Sequence, residues 1–60
     1  MDNKLEQYLT GAKRGILIRI LKDHGFDIMA TEQNREMIDT IRISLEQDTM
    51  EYDTILSYFE

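Results

Sequence analysis

The run Lys22-Asp23-His24-Gly25-Phe26 divides a proline-free chain into two amphipathic stretches, and that division limits what the chain can become. If Gly25 is the left-handed residue after a helix, Leu21 stands at the third-from-last helical position and Phe26 two beyond the end. That pair is the hydrophobic contact of a Schellman cap, so the spacing predicts a helix end here.

Upstream, Asn3 with Glu6 three residues on makes a capping-box-like start. Leu5, Leu9, Ala12, Ile16 and Ile20 then stay in phase on one helical face, with Leu17 and Leu21 widening it. One helix over about 3–24 accounts for all of them. The alternative is an α+β fold with a β-hairpin at 16–29, its strands 16–21 and 26–29, because Ile-rich runs favour strands and Gly11 and Gly15 weaken a helix. The stripe that begins at Leu5 favours the helix.

Downstream, Thr31 is positioned to cap a helix running to about 47, with Ile38, Ile41 and Leu45 as its core stripe and Met37 alongside. Asp48 with Glu51 signals a new start, and Tyr52, Ile55, Leu56 and Phe59 then follow at i, i+3, i+4 and i+7 over 49–59. The expected fold is all-α, a small three-helix bundle forming a single domain over 1–60.

A 60-residue chain buries only about 60% of its unfolded surface, and small domains commonly add disulfides, a metal or a second subunit. The chain has no Cys and one His, which removes disulfides and leaves no nitrogen–sulfur metal site. A homodimer is therefore expected, with no cofactor. Ile16-Leu17-Ile18 and Ile20-Leu21 are interrupted by Arg19 and fall far short of the ~20 residues a membrane span needs. The start Met-Asp-Asn-Lys has no apolar signal core, and the expected location is the cytoplasm.

Charge is split. Residues 1–25 carry five bases against three acids, and residues 26–60 carry Arg35 and Arg42 against nine acids, so +2 and −7 give the net −5. An acidic chain lacks the cations that neutralise phosphates, and nucleic-acid binding is not expected. A helix-turn-helix around Gly25 would present Glu32, Glu36, Asp39 and Glu46 to DNA, against only Arg35 and Arg42. Asp48 to Asp53 has neither the spacing nor the glycine of an EF-hand loop. Gly11 and Gly15 are isolated and form no phosphate cradle. His24 beside Asp23, with Ser44 and Ser57 elsewhere, suits the last turn of a helix better than a catalytic triad.

The segment Ser44-Leu45-Glu46-Gln47-Asp48 resembles the Ser-Gln-Glu-Leu-Asp signature of small helical phosphatases acting on sporulation response regulators. Gln and Leu are exchanged here, which moves the apolar residue to another helical face, and the distance from the glycine boundary is longer than in that family. No residue role follows from the resemblance.

Two stripes lie outside the expected core. Glu32, Glu36, Asp39, Ile43 and Glu46 fall within about 80° of one another on the middle helix, which makes Ile43 an apolar residue centred among acids. Arg14, Ile18 and Lys22 lie at i, i+4 and i+8 on the first helix, with Ile18 flanked by bases. The first stripe is the expected partner-binding face, suited to a basic protein surface. The second is a dimer or second interface. The composition suits a small non-enzymatic regulator, an inhibitor or antirepressor of the kind a phage or plasmid encodes. The alternative is a self-assembling structural or adaptor homodimer in which the two stripes pair with each other and no basic partner is needed. A small enzyme is the third reading.

Overall fold

A computed structural model describes residues 3–60, with only the backbone of Asn3, so the capping role expected of the Asn3 side chain lies outside the described residues. Among the described residues, four helices take the place of the expected three: α1 (Asn3–Thr10), α2 (Arg14–Asp23), α3 (Asn34–Glu46) and α4 (Tyr52–Ser57). Among the described residues there is no strand, which overturns the hairpin alternative: 16–21 lies within α2 and 26–29 is irregular.

The expected 3–24 helix is broken at Gly11-Ala12-Lys13, and the reason is length. A continuous helix over 3–24 would run about 33 Å at ~1.5 Å per residue, longer than the longest dimension of the chain, 29 Å. Such a rod could not bring Leu5 and Leu9 onto the same small core as Leu17, Ile20 and Leu21, yet all five are buried together. The break falls where helix is weakest. Gly11 has poor helix propensity, and Thr10 turns its hydroxyl back on the Glu6 and Gln7 carbonyls at 3.0 and 3.2 Å. Lys13 is extended (φ −75°, ψ 153°) and heads α2 without a side-chain cap. The Asn34 side-chain amide donates to the Ala12 carbonyl across the break at 3.4 Å.

The end of α2 is the Schellman cap that the spacing predicts. Gly25 has φ +87°, the Phe26 amide donates to the Leu21 carbonyl at 3.0 Å, and the Gly25 amide donates to the Lys22 carbonyl at 3.0 Å. His24 adds its ring: Nδ1 lies 2.7 Å from the Ile20 carbonyl, and because a carbonyl only accepts, Nδ1 carries the proton.

From Gly25 the chain returns along α2. Ile28 packs against the core, and the Arg14 guanidinium at the start of α2 donates to the carbonyls of Ala30 (3.2 Å) and Glu32. This grip holds 30–32 out of helical conformation. Thr31 therefore caps nothing; α3 begins three residues later than expected, with Gln33 extended as its N-cap. The return segment also sets the topology. With Asn34 beside Ala12 and His24 beside Ile43, α2 and α3 run side by side in the same direction.

A second left-handed residue ends α3. Asp48 has φ +59°, the Thr49 amide donates to the Ser44 carbonyl at 2.9 Å and the Asp48 amide to the Leu45 carbonyl at 3.4 Å. Asp48 thus closes one helix rather than capping the next, and Glu51 heads a shorter α4 than expected, without a side-chain cap.

The core joins Leu5, Leu9, Leu17, Ile20, Leu21, Met37, Ile38, Ile41, Met50 and Ile55. The final residues are fastened to α1 and α2. Tyr8 stacks on Phe59 with centroids 5.2 Å apart, Lys4 pairs with Glu60 at 2.6 Å, and Arg19 lies over the Tyr58 ring. The Tyr58 hydroxyl donates to the Asp23 carboxylate at 2.6 Å. That bond, then burial and the neighbouring negative charge, raise Tyr58 above the ordinary tyrosine value of 10.0, against the opposing pull of Arg19. Asp23→Asn is therefore expected to let the Tyr58 phenolate absorbance appear at lower pH. Superimposable titrations of the two proteins would refute the contact.

Candidate functional site

The acidic face of α3 is present in shortened form. Glu36, Asp39 and Glu46 are exposed, and Ile43 is 51% exposed between them. Glu32 precedes the helix: half-buried in the return segment, it donates its amide to the Met29 carbonyl and offers its own carbonyl to Arg14. The acids on the helix itself therefore extend over about 15 Å, from 36 to 46, rather than the length a 31–47 helix would give. One of them is partly neutralised: Asp39 accepts from Arg42 at 2.8 Å, while Arg42 also holds Glu6 of α1, with Nε 3.2 Å from the carboxylate and a second contact through its terminal nitrogen. The guanidinium is held still more firmly protonated, chiefly by its bond to Glu6.

The basic stripe is dispersed by the fold. Arg14 is half-buried and engaged with the return segment. Ile18 is half-buried and packs against the core, and Lys22 stands exposed in the last turn of α2. The spacing at i, i+4 and i+8 predicts one face meeting another molecule, whereas two of the three residues meet their own chain.

The structure also brings forward a residue that sequence reasoning had assigned to a helix cap alone. Phe26 is 38% exposed and lines a concave surface with Ile43, His24, Thr40, Ser44, Gln47 and Thr49. Its signal was available: an aromatic just beyond a glycine stop is placed by the cap geometry at the helix end, beside whatever packs there. The hydroxyls of this surface are satisfied internally, Thr40 on the Glu36 carbonyl among them. Ser44 is buried with its hydroxyl on the Thr40 carbonyl at 2.9 Å, and its own carbonyl accepts from the Thr49 amide and, at 3.1 Å, the Thr49 hydroxyl. What the surface offers outward is mainly apolar.

Among the described residues, no group of His, Asp and Glu side chains is arranged to hold a metal ion, and no helix is long and apolar enough to cross a membrane. Comparison with known protein families, curated proteins and solved structures finds no match to this chain.

Proposed function

We propose that this chain is a small acidic, non-enzymatic regulatory protein of the cytoplasm that binds and modulates another protein through the exposed face of α3. The observation that carries this reading is Ile43, half exposed at the centre of Glu36, Asp39 and Glu46. A buried apolar anchor supplies affinity on docking, and the surrounding charge steers encounter with a basic surface. Inhibition, as by an antirepressor or another phage or plasmid accessory protein, suits a chain of this size, since covering a basic functional surface is enough to block it. Self-assembly is the competing use of the same face. It is weakened because Arg14 and Ile18, two members of the complementary stripe, are occupied within their own chain.

Ile43→Arg tests the reading. The variant is expected to keep the wild-type circular dichroism spectrum, because the side chain is exposed, and to reduce capture of a basic protein partner by about tenfold or more. Sedimentation velocity at low and high salt provides the control. A salt-sensitive oligomer that Ile43→Arg dissolves assigns the face to self-assembly and sinks the proposal, as does capture unchanged by the substitution.

A further inference from the structure

We infer that the docking site on this chain is the cleft between Phe26 and Ile43, where the C-terminal ends of α2 and α3 meet, and that its occupant is a basic segment of a partner protein carrying an apolar side chain into the cleft. The inference rests on the proposed reading of the α3 face and names what that face receives.

The cleft's two walls are Phe26, just past the end of α2, and Ile43, in the last turn of α3. They are two of the three exposed large hydrophobic residues among those described, the third being Met29. Between them, His24 and Ser44 direct hydrogen-bonding groups into their own backbone. An apolar group entering here therefore covers apolar surface without stranding those polar groups.

The rim of the cleft is electronegative for two independent reasons. Helices running in the same direction add their dipoles, and each C-terminus carries the equivalent of about half a negative charge. His24 and Gln47, the C-cap residues of α2 and α3, both line this cleft. No basic residue offsets the dipole in the last turn of α3, and Lys22 is the base in the last turn of α2. Three exposed carboxylates then adjoin the lining residues in sequence: Asp27 beside Phe26, and Glu46 and Asp48 on either side of Gln47; Asp23, beside His24, is instead turned to the Tyr58 hydroxyl. An apolar cleft ringed by negative potential selects an apolar side chain flanked by Lys or Arg. A second copy is a poor occupant. It brings another net −5, and Arg14 of its basic stripe is committed to its own return segment.

The test is an amide-resolved NMR titration of the whole chain with a short amidated helical peptide whose leucine stripe is flanked by lysines. Its counterpart with glutamate in place of lysine serves as control. Saturable shifts at His24, Phe26, Ile43, Gln47 and Thr49 with the lysine peptide, and none with the glutamate peptide, are expected. Phe26→Ser and Ile43→Ser are each expected to weaken binding about tenfold. Because Phe26 adjoins a helix cap, Gln47→Lys provides a variant that leaves both apolar walls in place; it is expected to weaken binding while thermal stability is kept or slightly raised, a lysine being favourable at a helix C-terminus. Shifts confined to Glu36 and Asp39, indifferent to Phe26→Ser, overturn the cleft but leave the α3 face as a charged docking surface. Failure of the lysine peptide to bind, while partner capture still depends on Ile43, likewise overturns the cleft alone. Peptide-free, concentration-dependent shifts at the cleft amides identify a second copy and overturn both.

Discussion

Ile41→Ala is expected to remove most of the chain's stability, whereas Ile43→Ala, two residues along the same helix, is expected to leave it almost unchanged. Ile41 is fully buried and Ile43 is 51% exposed. Truncating a buried isoleucine to alanine costs about 2–5 kcal/mol, from lost transfer energy and from the cavity left behind. At roughly 0.05–0.15 kcal/mol per residue, a chain of this size has only about 3–9 kcal/mol in total. Ile41 also sits where collapse is hard: α3 is central, packing against both α1 and α2, so no single helix can move in to fill the space. Ile43→Ala trims a side chain that water already reaches, an effect within about 0.5 kcal/mol. Urea unfolding checks the pair. Equal losses at the two positions would mean that Ile43 is buried in solution, which would defeat both the α3 assignment and the docking face built on it.

This contrast also shows how much of the molecule could be read before its structure. The apolar periodicity around Leu5, Leu17, Ile38 and Ile55 places those residues inward correctly, because helical phase is a local property. The cap at Gly25 was legible for the same reason, being determined within six residues. The break at Gly11 was not, since the stripe continues in phase across it and only the size of the core forbids a straight rod. Nor was the late start of α3, because the Arg14 contacts that hold 30–32 out of the helix cross the fold. Arg14 illustrates why charge patterns mislead: a base at i, i+4 spacing looks solvent-facing until a returning loop offers it carbonyls. Ile43 stood out as an apolar residue among acids, yet Phe26, its neighbour across the cleft, was absorbed by its role in the cap. Met50, buried in the core, carries no periodic signal because it lies between helices.

The two helix stops make opposite predictions, although both residues occupy the left-handed region. Gly25→Ala is expected to destabilise the chain by about 1–2 kcal/mol, the penalty for an L-residue in that conformation. A Cβ at position 25 would meet nothing within 4 Å, so the loss comes from the backbone alone and enlarging space around the site would not relieve it. Asp48→Gly is expected to stabilise by about 0.5–1 kcal/mol. Two terms favour it, namely release of an L-residue at φ +59° and removal of a negative charge from the end of α3, where the dipole already concentrates one. The greater freedom of glycine in the unfolded chain offsets part of that gain. Asp48→Asn separates the terms, since asparagine keeps the side-chain shape and tolerates the conformation; it should recover only the electrostatic part, about 0.3–0.5 kcal/mol, and less at high salt. Thermal melts of the three variants decide the matter. Asp48 also belongs to the rim of the proposed cleft, so a gain in stability from Asp48→Gly accompanied by weaker binding of the lysine peptide is the expected outcome: a strained, charged helix end kept for the potential it projects. If Asp48→Gly is destabilising, the second Schellman turn is absent in solution, and the convergence of two helix ends beside Phe26 and Ile43 fails with it.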